Sequence, residues 1–124
     1  MRVLIVDDSR TIRGHLCMMM QSLGWETEEA DSGINALQKL RADKDFDLTL
    51  MDVIMPEMDG VECARRVRDE MPGLDMKLMM VTTQSDFPLI ANVLSHGADE
   101  FLIKPFTRGN MLGKLRLMDL PFVT

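Results

Sequence analysis

The sequence is poor in covalent or metallic staples. Its 124 residues hold only two cysteines, Cys17 and Cys63, 46 positions apart and with no second cysteine close to either. That arrangement excludes a zinc knuckle and a redox CxxC. Both cysteines fall in helix-like segments and read as small buried hydrophobes. Long apolar runs are missing too. The longest candidate, Leu48–Met55, is interrupted by Asp52 and falls well short of the roughly 18 residues of a membrane span. The N-terminus enters a strand-like run at once, with no signal-peptide layout, which predicts a cytoplasmic protein with no membrane attachment. Positive charge is in deficit, 14 Lys and Arg against 20 Asp and Glu, for a net charge of −6. A surface of that sign repels phosphate backbones, which argues against direct nucleic-acid binding and suits metal ions or basic partners. Repeats, low-complexity stretches and Pro/Gly/Ser-rich linkers are absent. The chain therefore reads as one domain, residues 1–124, with only Asp119–Thr124 after the last helical segment and no room for an output domain in this chain.

What is present is an alternation. Short apolar runs at Val3–Val6, Trp25–Ala30, Leu48–Met51, Lys77–Val81 and Phe101–Ile103 are separated by longer amphipathic segments. Four of the runs are nearly continuous in apolar residues, as in strands covered on both faces. The second, with Glu26, Glu28 and Glu29, reads as a polar edge strand. Helical faces recur at Ile12, Leu16, Met19, Met20 and Leu23; at Gly33, Ala36, Leu37 and Leu40; at Val61, Ala64, Val67 and Met71; at Ile90, Val93 and Leu94; and at Met111, Leu112, Leu115 and Met118. Ser9, Thr107 and either Asp31 or Ser32 are candidate N-caps. Asp59 and Glu62 have capping-box spacing, and Gly24 and Gly97 stand where helix C-termini need a left-handed residue. The pattern predicts an α/β fold, (βα)5, with a doubly wound parallel sheet.

In an open parallel sheet, ligands bind beyond the carboxyl ends of the strands. The residues that end the runs are Asp7 and Asp8, then Asp52, then Thr82 and Thr83, then Lys104 and Pro105. Three carboxylates, a hydroxyl and an ammonium thus gather on one edge of the sheet. Carboxylates packed together repel one another, and a hard divalent cation relieves that repulsion. Magnesium suits the cluster because it accepts one or two carboxylates, keeps several waters and leaves a place for a phosphate oxygen, with manganese able to substitute. Calcium would want more protein oxygens, and the lack of His and Cys disfavours zinc. Phosphoryl transfer is mostly positioning and charge neutralisation, and a carboxylate can be the nucleophile. Asp52, on a middle strand and followed by apolar Val53, Ile54 and Met55, is the candidate nucleophile. Asp7 and Asp8 are candidate metal holders, and Thr82 and Lys104 candidate partners of the phosphoryl oxygens.

These residues resemble the receiver domains of two-component response regulators, in particular single-domain, chemotaxis-type receivers. The matching pieces are Val6-Asp7-Asp8-Ser9, Met51-Asp52 through Pro56 to Asp59-Gly60, Thr82-Thr83 and Lys104-Pro105-Phe106, and the likeness runs from Met1 to about Met118. The resemblance implies a flavodoxin-like sheet of strand order 2-1-3-4-5. It makes Asp52 a phosphoacceptor served by a sensor histidine kinase, a phosphotransfer protein or small phosphodonors. Direct magnesium ligands would be Asp8, Asp52 and the backbone carbonyl of Ile54, with Asp7 acting through water. It further implies a cis Lys104–Pro105 bond, a switch in which Thr82 moves and Phe101 follows, and a target protein docking on the fourth helix, fifth strand and fifth helix. A monomer, or a weak phosphorylation-dependent dimer, goes with that picture. Ile54, Thr83 and Gln84 occupy positions that tune water access to the phosphoryl group. Phe101, where tyrosine is common, lacks a hydroxyl for partner hydrogen bonding.

The rival readings are a magnesium-dependent phosphohydrolase, a flavin-binding carrier and a degenerate receiver acting as a constitutive interaction module. A phosphohydrolase would want an acid/base two residues after Asp52, where Ile54 stands. A flavin carrier would want a hydroxyl-rich phosphate loop where Asp7 and Asp8 stand. A degenerate module would lack site residues that this chain retains. The 13 methionines belong to the periodic core pattern rather than to a copper site, and His96 before Gly97 suits a helix C-terminus.

Overall fold

The computed structural model describes residues 1–84 and 86–124. The elements run β1 (Arg2–Val6), α1 (Arg10–Ser22), β2 (Glu26–Ala30), α2 (Gly33–Ala42), β3 (Leu48–Met51), α3 (Gly60–Glu70), β4 (Lys77–Thr82), α4 (Phe87–Ser95), β5 (Glu100–Ile103) and α5 (Arg108–Leu117). The five strands are parallel in the order β2-β1-β3-β4-β5. Successive strand side chains point to opposite faces, and here both faces are covered. Leu4, Val6, Met51, Leu78 and Met80 meet α2, α3 and α4 through Ala36, Leu37, Leu40, Ala64, Val67 and Val93. Val3, Ile5, Leu48, Leu50, Met79, Val81 and Leu102 meet α1 and α5 through Leu16, Met20, Met111 and Leu115. That double coverage is why β1, β3 and β4 read as nearly continuous apolar runs. The edge strand β2 stays polar, with burial only at Ala30 and partly at Thr27.

Helix entry is capped at the end of the molecule where the strands finish. Ser9, Ser32, Asp59, Asp86 and Thr107 each accept a backbone N–H three residues on, which removes one unsatisfied donor per helix. Ser32 rather than Asp31 caps α2. The reciprocal half of the capping box at Asp59 does not form. Glu62 instead pairs with Arg65 at 2.6 Å and with Arg66 at 2.9 Å, and these guanidiniums hold its carboxyl down at about 2. Two cations one helical turn away outcompete a single backbone N–H for the same carboxylate. The complete box is at Thr107, where Asn110 returns a bond to the cap N–H. Gly24 and Gly97 take φ of 90° and 120° at helix ends. The His96 ring contacts the Asn92 carbonyl at 2.7 Å at the end of α4. Beyond α5 the chain folds back, and the Trp25 indole donates to the Pro121 carbonyl at 3.0 Å. Among the described residues no helix is long and apolar enough to cross a membrane.

Candidate functional site

The chain reverses its winding direction between β1 and β3, which are neighbours in the sheet although β2 lies between them in sequence. Such a switch point opens a crevice at the carboxyl ends of the two strands. Asp7 and Asp8 leave β1 there and Asp52 leaves β3, tied across by the Asp52 N–H to the Val6 carbonyl at 3.0 Å. One carboxylate oxygen from each of Asp7, Asp8 and Asp52 lies within 4.8 Å of the others. Asp7 is buried, Asp52 half-buried and Asp8 exposed.

Each group is held differently. The Asp7 carboxylate accepts the Ser9 N–H at 2.9 Å and the Lys104 ammonium at 2.9 Å. Lys104 also stands 3.6 Å from an Asp52 oxygen. Lys104 leaves β5 beside Thr82, its N–H bonded to the Thr82 carbonyl at 2.8 Å, and its peptide bond to Pro105 is cis. Burial pushes the Asp52 carboxyl above its ordinary value and the Asp7 charge adds to that, while Lys104 and the N–H groups of Ile54 and Val53 pull the other way. A carboxylate short of solvation is a stronger base and nucleophile than a hydrated one. Glycine is required beside it. A Cβ on Gly60 would stand 2.2 Å from the Asp52 carbonyl oxygen and 2.9 Å from Val53 Cα.

Thr82 is buried at the end of β4, and its hydroxyl accepts the Gln84 N–H at 3.2 Å. Thr83 is exposed and lines an apolar hollow of about 370 Å³ with Lys104, Pro105 and residues of α1. Ile54 is 56% exposed at the rim. Phe101 sits on β5 opposite Met80, half-buried on the α3–α4 face, with the Lys114 ammonium 4.5 Å from its ring centre. The structure thus gathers Asp7, Asp8, Asp52 and Lys104 directly. Thr82 comes beside them through its strand, and Ile54, Thr83 and Gln84 sit on their loops. Two contributors escaped the reading of the sequence, namely the close approach of Gly60 and the bond from Arg13 to the Asp7 carbonyl at 2.6 Å. Nothing local marks Arg13 out among the arginines of an exposed helix start.

The donor set fits a hard dication. It is all oxygen, it carries three negative charges against one lysine, and one oxygen from each carboxylate lies within 4.8 Å of the others, a spacing that leaves room for a hydrated ion held directly by some of them and through water by the rest. The same set does not suit zinc or copper, which prefer nitrogen and sulfur.

The sequence pattern of the response regulator receiver domain matches residues 3–116. The chain is 32% identical over 119 residues to the chemotaxis protein CheY1 of Helicobacter pylori, covering 95% of this chain and 96% of the relative. It is 33% identical over 118 residues to the response regulator MprA of Mycobacterium avium, covering 95% of this chain and 50% of MprA, so it spans half the length of that relative. Among solved structures, the Vibrio cholerae chemotaxis protein CheY4 superposes with a TM-score of 0.85 at 34% identity, over 94% of this chain and 96% of that one. A chain of the Borrelia burgdorferi CheX–CheY–BeF3–Mg2+ complex superposes with a TM-score of 0.89 at 26% identity, over 96% and 89%.

Proposed function

The chain belongs to the response regulator receiver domain family, and from that premise we propose that it is a phosphorylation-dependent binding switch with Asp52 as its phosphoacceptor. The observation that carries this reading is the meeting of three strand-end carboxylates within 4.8 Å, with the Lys104 ammonium 2.9 Å from Asp7 and 3.6 Å from Asp52. An Asp52 carboxylate oxygen attacks the phosphorus of a phosphohistidine or a small acyl phosphate. The new O–P bond forms in line with the departing nitrogen or oxygen, and Asp52 becomes an acyl phosphate. Lys104, bonded to Asp7 and 3.6 Å from Asp52, reaches a phosphoryl oxygen, and the Thr82 hydroxyl binds a second oxygen by turning from the Gln84 N–H.

Asp8, Asp52 and the Ile54 carbonyl would hold magnesium directly and Asp7 through water. Bound there, magnesium supplies neutralisation of the charge on the transferring group. Ile54, an apolar side chain where a phosphohydrolase would place its acid/base, together with Thr83 and Gln84, sets how readily water reaches the acyl phosphate. The domain is a signalling module whose own pocket performs the transfer and the slower loss of the phosphoryl group, rather than a turnover enzyme.

Thr82 and Phe101 lie on the same face of adjacent strands, so withdrawal of Thr82 toward the phosphoryl group frees space against which the Phe101 ring repacks. The surface this alters is α4–β5–α5. Phe87–Ser95 of α4 contains no charged residue, Phe87 is 81% exposed, and Leu117 on α5 is 70% exposed. We assign the downstream target to this uncharged helix and the strand and helix beside it.

Intact mass after incubation with acetyl phosphate and magnesium tests the reading. Wild type gains one phosphoryl group and Asp52→Asn gains none. A gain in both, or in neither, overturns it.

A further inference from the structure

We propose that Arg13 is a positioning residue of the acidic site, acting through the backbone of Asp7 to fix the direction of Asp8. The inference rests on the reading of Asp8 as a holder of the dication. Arg13 stands one turn into α1, with a side chain only 14% exposed. Its Nη1 donates to the Asp7 carbonyl at 2.6 Å, and its Nε donates to Glu29 Oε1 on β2 at 3.0 Å. The guanidinium thus spans from the edge strand to the turn between β1 and α1.

The position of that carbonyl is what matters. The β1–β2 ladder is extended by the Asp7 N–H to the Ala30 carbonyl at 3.2 Å, and the Val6 carbonyl is taken by Asp52. The Asp7 carbonyl is therefore the first to leave the sheet. It forms one end of a rigid planar unit whose other end is the nitrogen and Cα of Asp8. Holding the oxygen fixes that plane, and the plane fixes where the Asp8 side chain projects. Asp7 needs no such help, since Ser9 and Lys104 already hold its carboxylate. The exposed Asp8 side chain, among the described residues, has no hydrogen bond or ion pair of its own, so its aim depends on its backbone.

Arg13 also brings a positive charge close to three negative ones, which by itself opposes cation binding. Its two effects on magnesium therefore have opposite signs. Loss of the charge tightens binding, and loss of the fixed carbonyl weakens it. The geometry assigns Arg13 to positioning, so weakening dominates. A lysine reaches the carbonyl or Glu29 but cannot fork to both.

The test measures the magnesium dissociation constant by titration of backbone amide chemical shifts, a reading that needs no phosphotransfer. Initial phosphorylation rates with acetyl phosphate are followed across magnesium concentrations beside it. In Arg13→Ala the constant rises about tenfold, the lower end of what lost support behind a metal ligand costs, and in Glu29→Gln, which keeps the arginine charge, it rises about threefold. Arg13→Lys falls between wild type and Arg13→Ala. In all three the change lies in the magnesium dependence, and the rate at saturating magnesium stays within about twofold of wild type, as expected for a group remote from the reacting atoms. Unchanged or tighter binding in Arg13→Ala and Glu29→Gln overturns the proposal, as does a fall confined to the saturated rate. Should Arg13→Ala fail to fold, Arg13→Lys and Glu29→Gln decide. A wild type that is phosphorylated while all variants match it in magnesium dependence sinks this inference alone. A wild type that binds no magnesium sinks the proposed function and this inference together.

Discussion

Gly60→Ala separates crowding at the site from general glycine effects. An added Cβ at residue 60 stands 2.2 Å from the Asp52 carbonyl oxygen and 3.0 Å from the carbonyl carbon. Carbon and a carbonyl oxygen ordinarily approach no closer than about 3.3 Å, so the overlap is about 1 Å, and every atom in the way is backbone. Relief requires the Asp52–Val53 segment to move, which breaks the bond from the Gly60 N–H to the Val53 carbonyl at 2.7 Å. Overpacking of this kind costs about 1–3 kcal/mol and the lost bond about 1 kcal/mol. The helical preference of alanine returns about 0.5–1 kcal/mol. The net is a destabilisation of about 2 kcal/mol, a fall in Tm of roughly 8 °C for a domain of this size. Displacement of the reacting carboxylate by about 1 Å lowers the phosphorylation rate by on the order of a hundredfold. Gly14→Ala is the control, because it lies within α1 with nothing within 4 Å of its added Cβ, and it stabilises by about 0.5–1 kcal/mol. Urea melts and intact-mass phosphorylation time courses read both proteins. A Gly60→Ala protein as stable as wild type and phosphorylated at an unchanged rate would refute the reasoning.

Two further outcomes follow from the structure. The Asp52 carboxyl is raised by burial and by Asp7, so the folded state binds its proton more tightly than the unfolded chain does. Stability therefore falls as pH rises from the unfolded value of about 3.9 through the folded value. Asp52→Asn removes that cost. Without divalent cation its Tm exceeds that of wild type at neutral pH, and the gap closes on acidification below about pH 4; a gap that widens in acid contradicts the assignment. The single tryptophan, Trp25, is buried just before β2, at the opposite end of the sheet from Asp52, with its indole bonded to Pro121. Its fluorescence stays unchanged on addition of magnesium and acetyl phosphate, whereas removal of residues 120–124 shifts its emission to the red. A phosphorylation-dependent change in Trp25 emission would show that the switch reaches the far end of the sheet.

Much of the molecule is legible locally. Strands covered on both faces must be apolar at consecutive positions, and that pattern marks β1, β3 and β4 before any contact is known. Caps at Ser9, Asp59 and Thr107 are local chemistry, since the side chain and the N–H it satisfies lie three residues apart. For the same reason Asp7, Asp8, Asp52, Thr82 and Lys104 can be placed at strand ends from the sequence. The order of the strands is not local, and in the sequence reading it came from resemblance to receiver domains. That order brings Lys104 within 2.9 Å of a carboxylate 97 residues away, and closer to Asp7 than to Asp52. Tertiary structure alone also decided that Gly60 touches the Asp52 backbone and that Arg13 holds the Asp7 carbonyl. The reason is physical. Periodicity and capping are set by neighbours within a turn or a strand, whereas which charges meet, and how much water they keep, is set by how whole elements pack.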